Sequence, residues 1–225
     1  MKNRRVDLQL ESGVLYGCFH AKCNKSGMIP ASYGDWSIPT ERKTTKKKPL
    51  IFKYEKEDLT PDQFDVLSYK FNVSPMLLQQ NGLQFSSELK RVLIPVYNEH
   101  GYELAVNARY YPELGTSNMS VNKKSILYFN ENYIDEPLLH WPASNFVQYD
   151  NKGVPYYALV EDQLSAIKLG QFYGSVALMG TNLTPAGLSQ ISGCNIKICL
   201  DGDAPQAAKS LKNKYNLYFK SCEII

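Results

Sequence analysis

Apolar and polar positions alternate with a period of two at the start of the chain, in Val6-Asp7-Leu8-Gln9-Leu10. Ser12-Gly13 then turns the chain into Val14-Leu15-Tyr16, so two short strands are expected. The spacing lengthens after residue 58. In Asp58-Leu59-Thr60-Pro61-Asp62-Gln63, Thr60 can cap a helix, Pro61 takes its first position and Gln63 lies three residues beyond the cap. That helix would bury Phe64, Leu67 and Phe71, and a second starts at Ser74-Pro75 and ends near Gly82. From Arg91 the pattern returns to strands: Val92–Tyr97, a turn over 98–101, then 102–109, which together read as a hairpin, with 126–129 as a further strand. The last seventy or so residues alternate strand and helix: strand 156–160, helix 162–171, strand 175–178, helix 185–191, strand 195–200, helix 204–214 and a strand near 218–224. Such alternation predicts a parallel sheet flanked by helices.

Composition narrows the class. The chain has 225 residues, 44% hydrophobic and 21% charged, the profile of a globular protein. No apolar run approaches the roughly 20 residues that span a bilayer, so no membrane association is expected. Met1-Lys2-Asn3-Arg4-Arg5 has no apolar segment behind it, so no secretion signal is expected and the cytoplasm is the expected location. The net charge of +3 is mild. Arg42, Lys43, Lys46, Lys47, Lys48 and Lys53 nevertheless fall in a stretch without acids, either a solvated linker or a contact for phosphates. Five cysteines without a secretion signal argue against a disulfide scaffold and leave metal ligation or burial to account for them.

Three carboxylates carry the candidate chemistry. Glu161 directly follows Tyr157-Ala158-Leu159-Val160, and Asp201 and Asp203 directly follow Ile196-Lys197-Ile198-Cys199-Leu200. Ligands of open α/β sheets sit at the carboxyl ends of strands. Side chains two apart on extended chain point the same way, so Asp201 and Asp203 can face one ion, and carboxylates with open positions suit Mg²⁺ or Mn²⁺. The competing reading makes Asp203 and Glu161 helix caps.

The segments Tyr157-Ala158-Leu159-Val160-Glu161-Asp162-Gln163-Leu164-Ser165-Ala166-Ile167-Lys168, Ala177-Leu178-Met179-Gly180-Thr181-Asn182-Leu183-Thr184 and Ile198-Cys199-Leu200-Asp201-Gly202-Asp203-Ala204 resemble a TOPRIM domain, in the form found in bacteriophage DNA primases. The resemblance covers 153–225. It implies that Glu161 is a general acid/base or metal-linked carboxylate and that Asp201 and Asp203 hold the metal. The chain departs from the pattern at Asp162, where most members have Gly, and at Ser165, where most have an acid. Arg91–Tyr97, Gly101 and Ala105–Arg109 resemble the phage-primase hairpin that ends in a basic residue, and 58–85 resembles the small helical region before it. By that resemblance Arg109, with Lys123 or Lys124, contacts nucleotide phosphates or template. Tyr110, Tyr111 and Trp141 are candidates for stacking on bases. Tyr16-Gly17-Cys18-Phe19-His20-Ala21-Lys22-Cys23 resembles the second knuckle of a primase zinc ribbon, so Cys18, His20 and Cys23 are possible Zn²⁺ ligands, with the first knuckle missing. Cys194, Cys199 and Cys222 are expected as small buried hydrophobes.

The expected architecture is therefore α/β: a half zinc-ribbon hairpin (1–29), a basic linker (30–50), a small α+β N-terminal primase subdomain of helical pair and hairpin (51–150) and a TOPRIM domain (151–225). The expected activity is synthesis of RNA primers from ribonucleoside triphosphates on single-stranded DNA. The alternatives are a TOPRIM nuclease, or a truncated primase that binds single-stranded DNA or a helicase without polymerising. No Gly-rich phosphate loop followed by Lys-Ser or Lys-Thr occurs, so a replicative helicase would be a separate chain.

Overall fold

A computed structural model describes residues 4–10, 13–18, 26–30, 48–114 and 124–225. The chain divides into two compact units, 1–47 and 48–225. In the first, β1 (Arg4–Leu10), β2 (Gly13–Cys18) and β3 (Ser26–Pro30) form an antiparallel sheet in that order. The expected pair is present, and β3 extends it. The cysteine knuckle lies mostly outside the described residues, which include Cys18 but neither His20 nor Cys23.

The second unit contains two sheets. In the first, β4 (Glu57–Asp58), β5 (Gln84–Ser86), β6 (Arg91–Tyr97), β7 (Glu103–Arg109) and β8 (Ile126–Phe129) lie side by side, all antiparallel. Between β4 and β5 come α1 (Pro61–Phe71) and α2 (Pro75–Gln80). Thr60 caps α1 through a complete capping box: its hydroxyl accepts from Gln63 N, and Gln63 Oε1 accepts from Thr60 N. Leu67, Leu77 and Leu78 then pack against Val92 and Ile94 of β6.

The second sheet is parallel over β11 (Ser175–Ala177), β10 (Pro155–Val160), β12 (Asn195–Ile198) and β13 (Ser221–Ile224), in that order, with β9 (Gln148–Tyr149) antiparallel to the start of β10. Leu159, Val176, Ile196 and Ile198 face the core beneath α4 (Pro185–Ile191) and α5 (Pro205–Tyr215). Val160 and Ala177 pack with Ala166 of α3 (Gln163–Gly170). Both faces of the sheet are thus covered, as its nearly continuous apolar strands require.

The helix α3 is shared by the two sheets. Its Ala166 packs on the parallel sheet, while Leu164 and Ile167 join Leu67, Leu78, Val92 and Ile94 in the core of the antiparallel one. Gln163, fully buried in its first turn, donates through Nε2 to the carbonyls of Ile94 (2.9 Å) and Pro95 (3.0 Å) and accepts at Oε1 from Asn107 Nδ2 (2.8 Å). A second tie runs through His140. Its backbone pairs with Ala177 on the edge of the parallel sheet, and its Nδ1 accepts from Tyr97 N at 3.2 Å.

Two stability measurements test these ties. Gln163→Leu keeps the volume but strands the amide of Asn107 and two carbonyls, so urea unfolding should show a loss of about 3 kcal/mol. Burial lowers the pKa of His140 from 6.5 to about 3. The folded protein therefore resists a proton that the unfolded chain accepts, and stability should fall as pH drops from 6.5 towards 3. His140→Asn keeps an acceptor for Tyr97 N–H, and urea midpoints measured against pH should decline less steeply for it.

Candidate metal centre

The parallel register builds the site. Leu159 pairs with Ile198, so two residues further on Glu161 stands beside Leu200, next to Asp201. The Glu161 carboxylate bridges the strand ends directly, accepting from Asp201 N at Oε1 (3.2 Å). Ligand oxygens from Glu161, Asp201 and Asp203 all lie within 4.8 Å of one another; Glu161 is half-buried and both aspartates are exposed. Opposite ligands of an ion with bonds of about 2.1 Å stand about 4.2 Å apart, so small side-chain movements would close these three around one cation. The donor set, all hard oxygen with exposed sides left for water or phosphate, fits a divalent ion.

The capping alternative is not realised. Asp162, not Glu161, caps α3, accepting from Ser165 N at 3.0 Å. The cap position of α5 is Ala204, which makes no side-chain bond. All three carboxylates are therefore left without the duty that would explain them as helix signals.

The turn after β11 fixes Glu161 from its other side. Leu178 N donates to Val160 O (2.8 Å) and Gly180 N to Glu161 O (2.9 Å). To make this approach Met179 takes φ 56° and Gly180 φ 145°. The second value excludes most side chains, and a non-glycine residue at the first stores strain beside the site.

Arg109 ends β7 and sets a guanidinium nitrogen 3.9 Å from a carboxylate oxygen of Asp162, the residue after Glu161. No local signal in the sequence pairs Asp162 with Arg109; the two, far apart along the chain, meet because α3 packs beside β7, where Gln163 bonds Asn107. Lys124 is exposed, and its carbonyl accepts from the buried Arg91 (2.9 Å); Lys123 lies outside the described residues. Two proposed stacking residues are corrected. Tyr111 packs edge-on against Phe71, and Trp141 edge-on against Tyr157, each no more than 9% exposed, because large rings here fill the cores of the two sheets. Cys194 is buried and Cys199 and Cys222 partly so, packed against the hydrophobic clusters, and burial pushes all three thiols upward.

No family model matches the sequence, and comparison with curated proteins gives no match. Solved structures do match. The RNA polymerase domain of Mycobacterium tuberculosis primase DnaG superposes with a TM-score of 0.53 at 11% identity, over 74% of this chain and 69% of that one. The catalytic core of DnaG gives 0.51 at 14% identity, over 72% and 64% respectively. The fold is that of a primase catalytic core. The primase fragment of the bacteriophage T7 primase-helicase protein reaches 0.47 at 11% identity over 95% of this chain and 84% of that one, below the level at which a shared fold is asserted. This chain spans 64% of the length of the DnaG core. Among the described residues, no helix of this primase-core fold is long and apolar enough to cross a membrane.

Mn²⁺ binding, followed by electron paramagnetic resonance, tests the centre without an activity assay. Asp203→Asn should weaken binding by about tenfold or more. Gly180→Ala, forced into a conformation that L-residues avoid at a cost of about 1–3 kcal/mol, should weaken it too by releasing Glu161.

Proposed function

We propose that the protein is a DNA primase of the phage type, which joins ribonucleotides on a single-stranded DNA template without a pre-existing primer. The observation that carries this reading is the meeting of Glu161 with Asp201 and Asp203 on adjacent strand ends of a primase-core fold. Residues 151–225 would be its TOPRIM domain and 51–150 the N-terminal subdomain of the core. Residues 1–29 would be a partial zinc ribbon, in which Cys18, His20 and Cys23 are the candidate Zn²⁺ ligands, and 30–50 a basic linker.

Mg²⁺ or Mn²⁺ held there would activate the attacking 3′-hydroxyl and steady the departing pyrophosphate. Asp201 and Asp203 would hold the ion from one strand end. Glu161 would assist deprotonation of the hydroxyl or placement of the ion. Arg109 offers a planar set of donors to the triphosphate, and Asp162 beside it orients the guanidinium. Lys123 or Lys124 would join Arg109 in contacting nucleotide phosphates or the template. Ser165 carries no charge, so the ligand set rests on the three acids named. The partners of this reading are single-stranded DNA, ribonucleoside triphosphates and a replicative helicase as a separate chain, in the cytoplasm of the host cell.

Hydrolysis of a phosphodiester can use the same three carboxylates, so the assay must separate synthesis from cutting. Unlabelled single-stranded template with labelled ribonucleotides and Mg²⁺ or Mn²⁺ should yield short RNA, and end-labelled DNA alone should stay intact. Asp201→Ala should lower synthesis on the order of a hundredfold while leaving DNA affinity nearly unchanged. Cutting of the labelled DNA would favour a nuclease. Affinity for DNA with neither activity would leave a binding module.

A further inference from the structure

A feature that the metal centre leaves unexplained lies at the other end of the parallel sheet. A cavity of about 650 Å³ opens between the β6–β7 turn, the chain after His140 and the amino ends of β10 and β12. Its wall includes Tyr97, Glu99, Trp141, Tyr157 and Gln190. Tyr157 precedes Glu161 by four residues along β10, which separates this cavity from the acidic centre by about 13 Å of strand. The two sites do not overlap.

Its chemistry is that of a receptor for a cation. Glu99 is the one charged residue in the wall, and among the described residues no lysine or arginine lines the cavity. His100 approaches the same carboxylate (3.5 Å) but is not part of the wall. The carboxylate acts across the cavity: the thiol of Cys194 is pushed up by burial and then further by Glu99. A phosphate-bearing ligand would be repelled, and an apolar one would desolvate Glu99 without return. Two residues of the wall also carry unfulfilled polar atoms. The indole Nε1 of Trp141, a residue 8% exposed, and Oε1 of Gln190 are buried with no hydrogen-bond partner. A buried unpaired group costs about 1–3 kcal/mol, and once the two side chains turn towards the cavity one peptide unit supplies both complements, a carbonyl for the donor and an N–H for the acceptor.

We propose that this cavity docks an arginine side chain, carried on a short segment of a partner protein. A guanidinium pairs with a carboxylate through two parallel bonds and stacks on tyrosine faces, whereas an ammonium offers only a compact charge. The volume exceeds what one side chain fills and leaves room for the flanking backbone that Trp141 and Gln190 need. The inference does not depend on the metal centre and stands whichever phosphoryl chemistry that centre performs.

The chain has two tryptophans, so Trp36→Phe leaves Trp141 as the single indole N–H for ¹⁵N resonance. Capped Gly-Arg-Gly and its citrulline counterpart, equal in shape and uncharged, are titrated into the full chain. The arginine peptide should shift the Trp141 signal saturably, and the citrulline peptide should bind about tenfold more weakly. Glu99→Gln, in an exposed turn and checked for unchanged circular dichroism, should weaken the arginine peptide by a similar factor. Equal response to both peptides, indifference to Glu99→Gln, the absence of a saturable shift, or a shift produced by adenosine monophosphate in place of the arginine peptide would each overturn the proposal.

Discussion

Gln163 is shut away from water, so its amide must find partners inside the protein, and those partners belong to the opposite sheet. Pro95 supplies one of these partners. Its carbonyl and that of Ile94, successive on β6, both accept from the one amide nitrogen of Gln163. Asn107 on the neighbouring β7 closes the triangle. An apolar interface could slide by fractions of an ångström at little cost, whereas three buried hydrogen bonds admit one arrangement. The distance between the antiparallel sheet and the parallel one is thereby set, and with it the distance from Arg109 to the acids.

The candidate metal centre uses regular structure for most of its order. Parallel pairing of β10 with β12 brings two strand ends together, and the acids follow as the next residues out. Irregularity is confined to the turn at Met179 and Gly180, where unusual backbone angles let an amide seize the carbonyl of Glu161. The half-buried glutamate is held from both sides while the two aspartates remain open to solvent. That contrast suits a site in which one ligand is positioned in advance and the others close as the ion sheds water.

The strand and helix positions were legible from period and capping residues, and the acids from their place just beyond strands. Thr60-Pro61-Asp62-Gln63 announced α1 because its signals are local. The two-residue strands β4 and β9 escaped notice, since their pairing comes from tertiary contact and not from any alternation of their own. Trp141 and Tyr111 were misjudged as stacking platforms for a related reason: a ring facing a core and one facing a nucleobase look alike in sequence. Gln163 gave no warning either. A polar residue in the first turn of a helix is ordinarily solvated, and only the second sheet, packed against α3, makes it a buried tie.

Glu161, Asp162 and Gln163 are consecutive, and they face three different tasks: a carboxylate of the candidate metal centre, a helix cap beside an arginine, and a clamp between sheets. Gln163 opens α3 just beyond the extended Asp162, and each residue of helix turns the chain by about 100°, so a residue inserted or deleted here would rotate α3 against the strand end and break the match between ligand, cap and clamp. Length at this junction is consequently far less negotiable than composition. A replacement at one of these positions removes one contact, whereas a change of register removes the match among all three.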